Sequence, residues 1–128
     1  MDPAQYLALR VPPSALGMSE GEHTATLTYA LERAERAAEV LPADKQEEGQ
    51  EAHALAFLFG LEAAYWRRQY SGGTGPDGSF TLSEVGERMK AALAEQEAQE
   101  ARFKALTPAP APVRATRGGG SVRMVVDP

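Results

Sequence analysis

Apolar residues recur at helical spacing along most of this chain, and the pattern stops at residue 107. Ser19 followed by Glu22 is a capping box. Beyond it Leu27, Leu31, Ala34, Ala38 and Leu41 follow at alternating four- and three-residue steps, which puts them on one helical face. The other face carries Glu32, Arg33, Glu35, Arg36 and Glu39, with Glu32 and Arg36 at the favourable i,i+4 spacing. The spacing predicts a helix over residues 20–41, closed by Pro42. Asp44 and Glu47 repeat the capping logic and open a second long helix. It runs through Tyr70 and stops at Gly72-Gly73, where a left-handed cap brings no side-chain clash. Its middle, ALAFLFGL at 54–61, is apolar on every side, as expected of a helix central to a domain or buried between subunits. Gly60 costs about 1 kcal/mol relative to alanine in a helix interior, which points to a close helix crossing there.

The two ends read differently. Asp2, Pro3 and Gln5 open a short N-terminal helix that Pro12 and Pro13 end. At the other end Thr81 and Glu84 form a further capping box, and Phe80 and Val85 occupy the positions of a hydrophobic staple. The helix begun there, of about 25 residues and nearly 40 Å, is longer than a small bundle needs. Its stripe of Val85, Met89, Ala92 and Leu93 meets Gln96 and Gln99 before resuming at Phe103 and Leu106, so its core contact is expected to weaken midway and its distal half to project towards a partner.

Residues 107–128 read TPAPAPVRATRGGGSVRMVVDP. Pro108, Pro110 and Pro112 favour an extended, polyproline-like geometry of roughly 3 Å per residue, and Gly118 to Gly120 free the direction of the final eight residues. Val122, Met124 and Val126 would face one side of a strand, with Arg123 and Val125 on the other. Laying such a peptide along an exposed sheet edge is a known way to make a specific joint. The expected fold is therefore all-α: a small helical bundle of three long helices plus a short N-terminal helix in residues 1–106, and an extended C-terminal arm in residues 107–128 able to add a β-strand to a partner.

Charge sharpens this division. The arm holds Arg114, Arg117 and Arg123 against Asp127, a net +2, so of the total of −5 the first 106 residues carry −7. An acidic body argues against wrapping duplex DNA, which needs clustered Lys and Arg. A basic arm suits an acidic partner surface, the body of a neighbouring copy included. The chain has no cysteine, so neither a disulfide framework nor a thiolate zinc site is expected. No segment has the length or pattern of a membrane span or secretory leader, and a soluble, non-secreted chain is expected.

Candidate chemistry is sparse. Residues 73–84 can be aligned as a twelve-residue calcium loop with Asp77 fifth, Gly78 sixth and Glu84 last, but Gly73 and Gly75 stand where the first two carboxylates belong, and no metal is expected. His23 and His53 lie in no recognisable catalytic context, and neither glycine-rich stretch has the Lys-Ser end of a phosphate loop. The chain is read as a non-enzyme with no cofactor. Tyr65, Trp66, Arg67, Arg68 and Tyr70 close the second long helix. Such residues either complete a core or form an interface hot spot, and substitution of Trp66 separates the two. The candidate partner-binding residues are Tyr65, Trp66, Arg68 and Tyr70 in the body, and Arg114, Arg117, Val122, Arg123, Met124, Val125 and Val126 in the arm.

In order of elements, residues 14–128 resemble the small head-tail connector, or adaptor, proteins of tailed bacteriophages. The resemblance rests on a capped helix (SEGEHTATLTYALERAERAAEV), an Ala/Leu/aromatic second helix (AHALAFLFGLEAAYWRRQY), a glycine-rich connection (SGGTGPDGSF), a third helix (TLSEVGERMKAALAEQEAQEARF) and an extended terminal arm. It implies a homo-oligomeric ring, often dodecameric, in the neck of the virion. Such a ring is assembled in the host cytoplasm, joins the portal to the tail or stopper protein, and grips the portal with its arms. DNA would pass through its channel without specific binding, consistent with an acidic lining. The competing expectation is a cellular helical-bundle dimer, a regulator or scaffold, whose arm binds a partner by strand addition.

Overall fold

The computed structural model describes residues 2–71 and 82–108. The expected Gly72-Gly73 stop, the Phe80/Thr81 helix start, the pseudo-calcium loop up to Thr81 and the arm beyond Pro108 lie outside the described residues. Those described form five α-helices and one 3-10 turn: α1 (Pro3–Arg10), α2 (Pro13–Leu16), α3 (Glu20–Ala38), the turn Ala43–Lys45, α4 (Gln46–Ser71) and α5 (Leu82–Leu106). Among them there is no strand, and the fold is all-α.

The capping chemistry places the starts. The Asp2 carboxylate accepts from the Gln5 amide at 2.9 Å, and the Gln5 side chain accepts from the Asp2 amide at 3.3 Å. Ser19 and Glu22 repeat this reciprocal pair at 3.2 and 3.0 Å. Pro13, expected only as a stop, begins the single turn of α2, because its missing N–H falls where a helix needs none. Gly17 closes that turn at φ 66°, a left-handed conformation that glycine adopts without Cβ strain.

Helix α3 ends at Ala38, three residues short of the expected boundary. Its last turn tightens: Glu39 and Leu41 donate to the carbonyls of Arg36 and Ala38, at 3.3 and 2.9 Å, bonds of the 3-10 type. Leu41 is buried all the same, beside Gly49 of α4. Asp44 sits inside the 3-10 turn, so α4 starts at Gln46 and not directly after Asp44.

Helix α4 is the hub. Helices α1, α2 and α3 and the 3-10 turn pack against it, and α5 lies almost wholly on it. The main core joins Leu7, Val11, Leu16, Leu27, Ala30 and Ala34 to Ala54, Leu55, Leu58 and Phe59. The all-round apolar stretch of α4 is thus explained by a central place in the body. Leu55 and Leu58 are wholly buried.

Helix α5 runs antiparallel to α4, with Arg88 over Trp66 at one end and Arg102 beside Glu48 and Glu51 at the other. Contrary to the expectation from its sequence, its distal half packs on α4 and does not project. Gln99 is 8 % exposed and accepts from Arg102 Nη1 at 3.1 Å, and Phe103 meets the His53 ring edge-on at 5.4 Å. The apolar stripe gives way to a polar seam, and the packing continues along it.

Candidate partner-binding surface

The cluster at the end of α4 divides by burial. Trp66 is 4 % exposed, and its indole N–H donates to Glu62 at 3.3 Å. The Arg88 guanidinium lies 5.5 Å from the Trp66 ring, and Tyr65 meets that ring edge-on at 5.1 Å. Tyr65 also lies against Gly17, whose absent Cβ would strike its ring. The two aromatics therefore tie α4 to α5 and to the turn after α2. Arg68 is exposed, beside exposed Arg67. Tyr70 lies in the last turn of α4, with its side chain outside the described set. The arm residues Arg114, Arg117, Val122, Arg123, Met124, Val125 and Val126 are likewise outside the described residues.

Electrostatics follow from this packing. Burial pushes the Glu62 carboxyl above its ordinary range. The Trp66 hydrogen bond and the Arg88 charge oppose that rise, and Glu95 adds to it.

The histidines serve different ends. His23 is 4 % exposed, and its Nε2 is 2.7 Å from the Val11 carbonyl, which fixes the N–H on that nitrogen and fastens the end of α1 to α3. His53 is half-buried, and its Nδ1 is sealed from solvent without a hydrogen-bond partner. Burial, and then the positive charge of Arg33, hold the His53 pKa below its ordinary value. No grouping of three or more His, Asp or Glu able to hold a metal occurs among the described residues.

Two further surfaces have no single-segment sequence signal, because each is assembled from several helices. On one, Arg33 of α3 lies 4.8 Å from the ring of Phe57 on α4 and 5.8 Å from that of Tyr29, which is 52 % exposed. Tyr29 and Phe57 meet edge-on at 5.6 Å. On the other, α1, α3 and α4 enclose a cleft of about 220 Å³ whose apolar floor includes Tyr6, Leu7 and Leu31 and whose rim includes Glu47 and Glu51. A shallower hollow shares Pro3, Leu31 and Gln50 with it and adds Asp2, Glu32 and Glu35. No lysine or arginine lines either one.

Compared with protein-family models, with curated proteins and with solved structures, the chain matches none.

Proposed function

We propose that this chain is a structural assembly component, a ring-forming connector that joins the portal to the tail or stopper in the neck of a tailed-phage particle. The observation that carries the reading is the junction at Pro108. Helix α5 ends at Leu106, and a basic, proline-spaced arm follows an acidic helical body. A body that already buries its long helices on one another has no need of such a segment. In this reading the bundle is a rigid spacer, its net charge of −7 lets duplex DNA slide past, and the arm makes the joint.

The chemistry of the arm points to a receiving edge on a different protein. Residues 122–126 alternate in the manner of a strand, whereas the described body has no strand to extend. The portal is the proposed owner of that edge. The test is a chain lacking residues 107–128, supplied in place of the full chain during particle assembly. The expected result is a folded bundle and heads without tails, counted by electron microscopy. Normal numbers of joined particles would overturn the reading.

A second reading, a cellular dimer acting as a regulator or scaffold, is favoured by the Tyr29–Arg33–Phe57 surface, since Tyr and Arg are enriched in hot spots and Tyr29 is exposed. Mass measurement separates the two. A fixed dimer at all concentrations supports the rival, and ring formation on addition of portal supports the connector.

A further inference from the structure

The cleft between α1, α3 and α4 presents an apolar floor inside an acidic rim, and the arm begins with a segment of the opposite character. Residues 113–117 read VRATR: a valine beside two arginines three positions apart. The floor offers Tyr6, Leu7 and Leu31, enough to take one valine, and Glu47 of its rim, with Glu32 and Glu35 of the hollow that adjoins it at Leu31, faces a pair of guanidinium groups. We propose that this cleft receives residues 113–117 of a second copy of the chain. The inference rests on the connector reading and supplies the contact between neighbouring subunits of its ring.

Reach allows a neighbour's arm to make the contact. Arg102 bonds Glu51, a cleft residue, at 2.9 Å, so the cleft begins about 6 Å along the α5 axis, at 1.5 Å per residue, from the end of that helix at Leu106. Alternating prolines at 108, 110 and 112 favour an extended run that carries Arg114 roughly 18 Å onward, at about 3 Å per residue. A strut of that length is able to span to the cleft of an adjacent copy. An arm-to-cleft contact joins unlike surfaces, and contacts of that type generate rings where the rotation closes. Gly118 to Gly120 then leave residues 122–126 free to engage the portal.

The test uses full-length chains. Glu32→Lys/Glu35→Lys/Glu47→Lys reverses the rim, and Arg114→Glu/Arg117→Glu reverses the arm. All three positions are exposed, and circular dichroism is the check that each variant keeps its helicity. Each variant alone is expected to self-associate about tenfold more weakly than the parent in sedimentation, and an equal mixture of the two to recover association, because the reversed arm fits the reversed rim. The parent contact is expected to weaken with added salt. The chain has no cysteine, so Thr28→Cys, in the hollow that adjoins the cleft at Leu31, with Val113→Cys introduces one defined pair. Oxidation is expected to give covalent oligomers.

Disulfides only within single chains, a parent that stays monomeric at every concentration reached, or a mixture no better than its components would each overturn the proposal. These outcomes are separable from failure of the connector reading. If particles join normally without residues 107–128, that reading falls. If joining is lost on truncation while the charge variants associate like the parent, only the cleft contact falls.

Discussion

His23 shows how one side chain can hold two helices whose sequences do not announce the contact. Its Nε2–H closes the Val11 carbonyl at 2.7 Å inside the core. His23→Ala leaves that carbonyl buried and unpaired, and should cost about 1–3 kcal/mol in urea unfolding. Gly17 is similarly constrained, by a φ of 66° and by the Tyr65 ring. Gly17→Ala should cost at least about 1–2 kcal/mol by the same measurement, the penalty of a left-handed alanine. His53 makes stability depend on pH. Its folded pKa is depressed, first by burial and then by Arg33, so the unfolded chain binds the proton more readily. The stabilisation is present above the unfolded value of about 6.5 and is lost as pH falls through it towards the folded value. The thermal midpoint should fall between pH 7 and pH 6, and His53→Gln should flatten that slope. Neither histidine's role was legible in the sequence, since Val11 and Phe103, their partners, are brought to them only by the fold.

Among the elements, α5 is the most instructive. Gln96 and Gln99 mark the place where its apolar stripe ends, and by period alone they suggest lost contact. In the fold Gln96 lies over Gly60, where a Cβ would come within 3.0 Å of its amide nitrogen, and Gln99 is buried beside Arg102. The glycine was legible as a close crossing, and its partner was not, because polar residues at a seam carry no periodic signal. The α4–α5 contact should depend strongly on Trp66, which meets Arg88 across it. Trp66→Ala should cost about 3–5 kcal/mol and loosen α5, seen as faster amide exchange in residues 82–93. The sharper boundaries were legible through their side-chain chemistry: Asp2 with Gln5 and Ser19 with Glu22 begin α1 and α3 as expected. Leu41 was rightly read as apolar core but wrongly as helix, since 3-10 bonds before Pro42 replace the final α-turn.

At the scale of the whole molecule, the body is organised around α4. That element was legible as a buried helix, because residues 54–61 are apolar all round, and the fold decides for a place at the centre of the body over one between subunits. The cleft of α1, α3 and α4 was not legible, since its acids come from helices far apart in sequence and each alone reads as a solvated face. The acidic body and the basic arm give the proposed assembly its complementarity, and the arm's strand pattern gives it a joint that the body lacks. The account turns on residues 109–128 becoming ordered against other chains. Amide hydrogen exchange across these residues tests this most directly, measured first in the isolated chain and then in assembled particles. The account predicts fast exchange in the isolated chain and strong protection, concentrated at 122–126, after assembly. Protection already complete in the isolated monomer, or none in the finished particle, would contradict it.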